Sequence, residues 1–109
     1  MIKEFKIFEN KNINIKRGDY VVMSTNKDLY KNFKSFIENN IGQVAYVVNN
    51  TTLNVEHENV PDDIKSAFNS NKYKGKLKYW YIFNISDVVA YNKSKEELQY
   101  ILQANKYNL

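Results

Sequence analysis

The chain has 109 residues, a formal charge of +4 and no cysteine. That length suffices to bury the core of one domain, and the lack of thiols excludes disulfides, cysteine catalysis and every cysteine-based metal site, as suits a reducing cytoplasm. No apolar run approaches the length of a bilayer span, and the opening Met1-Ile2-Lys3-Glu4-Phe5-Lys6 alternates charge with apolar groups, so neither a membrane segment nor a signal peptide is expected.

In chain order, Phe5, Ile7, Ile13 and Ile15 alternate in two short runs and predict a strand or extended arm. Lys16-Arg17-Gly18-Asp19 is a turn, and Tyr20 to Ser24 is apolar on both faces, as in a buried strand. Asn26 is placed to cap a helix over 27–39, with Leu29, Phe33, Phe36 and Ile37 at helical spacing and Lys27, Lys31 and Lys34 on the opposite side. Asn39-Asn40 and Gly42 are expected to end it through the left-handed conformation.

Residues 41–59 then read as a β-hairpin. Val44, Tyr46 and Val48 alternate with Ala45 and Val47, Asn49-Asn50-Thr51 is turn chemistry, and Leu53, Val55 and His57 alternate with Asn54, Glu56 and Glu58. Pro61 starts a short helix whose positive first turn suits Asp62 and Asp63. Asn69-Ser70-Asn71 reads as a loop. Lys72 to Phe83 reads as one aromatic strand, Asn84 to Asp87 as a tight turn with 3₁₀ character, and Val88 to Tyr91 as a last strand. Ser94-Lys95-Glu96-Glu97 is a capping box that opens a helix over 94–105, with Leu98, Ile101 and Leu102 inward.

Three stretches carry a family likeness. Lys16-Arg17-Gly18-Asp19-Tyr20-Val21 resembles the K-x-G-D-x-V entry to the first strand of KOW-like and Tudor-like barrels. Ile41-Gly42-Gln43-Val44 is similar to their G-x-V second strand, and Trp80 to Val89 to their W-x-x-F-x-x-S-D-[IL]-V close. The chain also resembles small SH3-like proteins of phages and large DNA viruses, which carry a helix before the IG-x-[VI] strand and a final S-K-x-E-E-L helix. The resemblance implies a mainly β fold with α additions. The expected form is an SH3-like barrel of about five strands over 17–91, with the two helices packed on it. It also implies a binding module without catalysis. Composition points to the same kind of source: Lys, Asn, Ile and Tyr abound and Arg17 is the single arginine, the usage of A/T-rich codons.

Lys72, Lys74, Lys76 and Lys78 alternate with Tyr73, Leu77 and Tyr79, so on one strand all four lysines share a face. Lysines beside exposed rings suit single-stranded nucleic acid, with charges for phosphates and rings for stacking. The same pattern also protects a strand edge, and Glu56, Glu58, Asp62 and Asp63 stand close enough in sequence to neutralise it. Tyr79, Trp80 and Tyr81 cannot all face inward, so an aromatic contact surface is expected among them. The candidate partner-binding residues are Lys72, Lys74, Lys76, Lys78, Tyr79, Trp80 and Tyr81, with Lys27, Lys31 and Lys34 as a second surface. The scarcity of arginine weighs against guanidinium readout of bases.

His57 is the sole histidine. On a strand its neighbours Glu56 and Glu58 point away from it, so no metal site is expected there, and His57 reads as part of the wall. No catalytic residue and no cofactor are expected, since no glycine-rich phosphate loop or nucleophile–base pattern appears. The expected function is a small interaction protein of a phage, virus or mobile element that binds and modulates a host protein. The alternatives are direct DNA or RNA binding through Lys72–Lys78, and a self-associating structural subunit; a membrane partner is not expected.

Overall fold

The computed structural model describes residues 14–25 and 30–107. Six antiparallel strands form one sheet: β1 (Tyr20–Met23), β2 (Gly42–Val47), β3 (Thr52–His57), β4 (Asn69–Tyr73), β5 (Lys76–Asn84) and β6 (Val88–Asn92). Two α-helices, α1 (Lys31–Asn39) and α2 (Lys95–Tyr107), join 3₁₀ segments at Asp62–Ala67 and Ile85–Asp87. The fold is mainly β with helices added, as expected. The strands number six rather than five, and their order β4-β5-β3-β2-β1-β6 leaves β4 and β6 as edges of an open sheet where a closed barrel was expected. No helix among the described residues is long and apolar enough to cross a membrane.

Register decides which side chains share a face. On β3, Leu53, Val55 and His57 sit opposite Phe83, Tyr81 and Tyr79 of β5, and these build the inner face. The inner face is covered by α1 and the Asp62–Ala67 segment, whose Phe33, Ile37 and Ile64, with Phe68 just after them, complete the main core. Phe33 rings meet Phe68 at 4.8 Å and Tyr81 at 5.0 Å. A second, smaller core lies across β1 and β6, where Leu98 of α2 packs on Val22 and Ala90. Adjacent residues Val21 and Val22 therefore serve opposite faces, which is why β1 reads apolar on both sides.

Local chemistry explains the elements. At the first turn Gly18 adopts φ +91°, and Asp19 Oδ2 accepts the Lys16 N–H at 2.9 Å. The β2–β3 loop is organised by Asn49, whose Oδ1 accepts from the N–H and hydroxyl of both Thr51 and Thr52. At α2, Ser94 Oγ accepts the Glu97 N–H at 3.2 Å. The reciprocal half of the expected capping box is replaced, because the Ser94 N–H goes to Asn92 Oδ1.

Other expectations are corrected. The end of α1 uses no left-handed residue: Asn40 is extended, Gly42 already lies in β2, and the Asn39 and Asn40 side-chain amides instead donate to the Ser35 and Phe36 carbonyls. The segment after Pro61 is 3₁₀ rather than α-helical. The expected loop at 69–71 is the start of β4, and the single strand over 72–83 is a hairpin. Lys74 (φ 51°) and Gly75 (φ 81°) form a two-residue turn between β4 and β5. Ile15 is buried but outside any strand. Phe5, Ile7, Ile13, Asn26, Lys27 and Leu29 lie outside the described residues.

Candidate nucleic-acid interface

The turn at Lys74-Gly75 changes what the lysine run can do. Tyr73 pairs with Lys76, Asn71 with Lys78, and Asn69 with Trp80, so these six residues share the outer face. Lys72 pairs with Leu77 and belongs to the inner side, while Lys74 occupies the turn. The four lysines therefore do not form one stripe. Lys76 and Lys78 line the outer face, with Lys72 and Lys74 near the tip of the hairpin.

Four carboxylates were candidates to neutralise this charge, and the fold sends Asp62 and Asp63 elsewhere. Asp62 pairs with Lys65 at 2.8 Å, and Asp63 accepts from Asn32 at 3.1 Å. The Lys65 ammonium beside Asp62 holds that carboxyl below its usual range. Glu58 lines a groove beside α2 and also a small pocket that Lys78 lines. Glu56 alone of the four comes within ion-pair distance of the hairpin, with an oxygen 3.9 Å from Lys78 Nζ. Among the described residues, Lys72, Lys74 and Lys76 have no ion-pair partner. The Lys74 ammonium lies 5.5 Å from the centroid of Tyr73.

The three consecutive aromatics divide as a strand requires. Tyr79 and Tyr81 turn inward: Tyr79 packs near Phe68 under the Lys65 ammonium, and Tyr81 lies 5.0 Å from both Phe33 and Phe83. They are half-buried packing residues, which corrects their expected place in the contact surface. Trp80 is the outward ring, half-exposed, its indole N–H donated to Asn71 Oδ1 at 3.0 Å. Tyr73 near the turn is 62% exposed. The next cross-strand row, Tyr46, Asn54 and Ile82, continues the outer face toward the β2–β3 loop. Tyr46 and Ile82 are exposed between chemistry-bearing neighbours, whereas Asn54 is 3% exposed, with Oδ1 unpartnered. Of the second expected surface, Lys31 is exposed and Lys34 half-buried on α1, which packs on β1, the Asp62–Ala67 segment and, through Phe33 and Tyr81, the inner side of β5, away from the outer lysine face.

His57 is not a plain wall residue. It is 3% exposed within ring contacts to Phe36, Phe68 and Phe83, and neither ring nitrogen has a hydrogen-bond partner. Gly42 makes the room: a Cβ there would lie 2.6 Å from Val55 Cγ1 and 2.8 Å from His57 Cε1. Burial pushes the imidazole down from 6.5 to about 4, with the Asn40 backbone acting weakly the other way at a geometry short of a hydrogen bond. The unfolded chain binds this proton near pH 6.5 and the folded one only near pH 4. Between those values the unfolded state holds the extra proton, so stability rises with pH. His57 therefore withdraws about 3 kcal/mol as pH falls from 6.5 to 4. Urea unfolding of His57→Leu across that window should show a shallower loss than the parent; an identical slope contradicts the assignment. Among the described residues no group of three His, Asp or Glu side chains can hold a metal ion.

Comparison with protein-family models, with curated proteins and with solved structures found no match.

Proposed function

We propose that the protein is a non-catalytic binding module whose ligand is single-stranded nucleic acid, held on the outer face of the β4–β5 hairpin. The carrying observation is the pairing that sets Tyr73, Lys76, Lys78 and Trp80 on one face with a single carboxylate beside them. Lysines would take phosphates and the rings would stack bases, a sequence-tolerant mode. Trp80 is the sole tryptophan, so its emission reports on this face alone. Titration with a single-stranded oligonucleotide at low salt should quench it saturably; constant emission through the titration contradicts the reading.

A second reading is favoured by β4, whose five residues are all exposed at the sheet edge. A host protein could add a strand there, with main-chain hydrogen bonds supplying affinity. This is the host-binding interaction protein that the family resemblance implies. Support for the SH3-like reading of the fold is the neighbour order β6-β1-β2-β3-β5, with a 3₁₀ turn joining β5 to β6 and the β4 arm added outside it.

A further inference from the structure

The lysine face does not end at Lys78. That side chain also lines a small pocket of about 100 Å³ at the end of the sheet, together with Gln43, Glu56, His57, Glu58 and Lys95. Sharing Ile41, Glu58 and Lys95 with it is a groove of about 580 Å³ between α2 and the ends of α1 and β3. The groove is rich in amides, from Asn39, Asn59, Gln99 and Gln103, and Tyr100 at its side is 70% exposed.

We propose that this pocket and groove receive one extruded base of a strand lying on the lysine hairpin. The inference rests on the nucleic-acid reading above and names where that reading gains base selectivity. Three observations carry it. His57 closes the floor of the pocket, its ring almost wholly buried and both nitrogens covered, so it senses an occupant as a neighbour while the exposed Gln43 beside it is free to bond one. Glu56, Glu58 and Glu96 stand against Lys78 and Lys95 in the two cavities, a mixture that does not favour a phosphate. It does suit a neutral base edge: side-chain amides match paired donors and acceptors, and carboxylates accept from exocyclic amino groups. Tyr100 supplies a stacking ring, and the unpaired lysines of the adjoining hairpin supply phosphate contacts. Phosphates and base thus have separate places, joined at Lys78.

The test uses His57 as its own reporter, because a sole histidine gives unambiguous ring signals in NMR. Uncharged nucleosides, which carry no phosphate, are titrated into the full chain, and labelled oligonucleotides are titrated in parallel. The proposal expects saturable movement of the His57 signals by at least one nucleoside. Tyr100→Ala and Gln43→Ala should each weaken it about fivefold or more, while replacement of Lys72, Lys74 and Lys76, which line neither cavity, leaves it in place. Salt-sensitive oligonucleotide binding with no nucleoside effect on His57 overturns the base pocket and leaves the hairpin reading intact. A nucleoside effect without oligonucleotide binding overturns the hairpin reading and the delivery of a base from it. Movement of His57 by inorganic phosphate but by no nucleoside overturns the assignment of a base to the pocket.

Discussion

Replacing Lys72, Lys74, Lys76 and Lys78 together by Gln removes most of the salt dependence of nucleic-acid binding. The outer-face Lys76 and Lys78 with Lys74 at the turn offer three phosphate contacts, a log–log salt slope of about −2 on a single strand, or roughly a 20-fold loss of affinity between 50 and 200 mM salt. The quadruple variant should bind weakly, with a slope near zero. The physical basis is the disposition of the carboxylates: Asp62 is tied to Lys65 and Asp63 to Asn32, and Glu56 and Glu58 gather at Lys78, which leaves Lys74 and Lys76 without an offsetting charge. The replacements lie on exposed or half-exposed positions, so the change in stability should be within about 0.5 kcal/mol. Anisotropy titrations of both proteins at several salt concentrations decide it. An unchanged slope would place the phosphates elsewhere.

Phe33→Ala has the largest expected effect on stability. Phe33 is 1% exposed and joins α1 to two other parts of the fold, through Phe68 after the 3₁₀ segment and Tyr81 on β5. Truncation forfeits the burial of the ring and leaves a cavity that neighbouring rings cannot close, at about 3–5 kcal/mol. A domain of this size has a total of about 5–15 kcal/mol, so the melting temperature should fall by roughly 15 °C or more. Lys31→Ala on the exposed side of the same helix is the control and should change little. A loss below about 1 kcal/mol for Phe33→Ala would mean that α1 is not anchored as described.

These two predictions stand at different distances from the sequence. Helix α2 was legible because Ser94 offers a capping hydroxyl just before Leu98, Ile101 and Leu102 at helical spacing. The Gly18-Asp19 turn and the 3₁₀ close at Ile85–Asp87 were legible through short-range side-chain chemistry that needs no partner from elsewhere. The Lys74-Gly75 turn was hidden because strand-forming residues flank it on both sides, and because Lys stands where Asn or Asp most often announces such a turn. Missing it merged β4 with β5 and put the lysines on one face. The sixth strand follows from that same hairpin.

The burial of Asn54 and the groove beside α2 were not legible at all. The groove gathers side chains from Asn39 to Gln103, and no local pattern encodes a meeting across that much chain. The sequence signal nearest to it was Gly42, read as the start of a strand. Its further role is to leave room for the ring of His57, which only the β2–β3 register reveals.

The central claim is that the outer face of the β4–β5 hairpin binds single-stranded nucleic acid. The most direct measurement is fluorescence anisotropy of labelled single- and double-stranded DNA and RNA, titrated with the protein at low and near-physiological salt. The account predicts tighter binding of single strands, because stacking on Trp80 and Tyr73 needs unpaired bases, with affinity falling steeply as salt rises. Absence of binding at low salt, where the lysines act at their longest range, would contradict it.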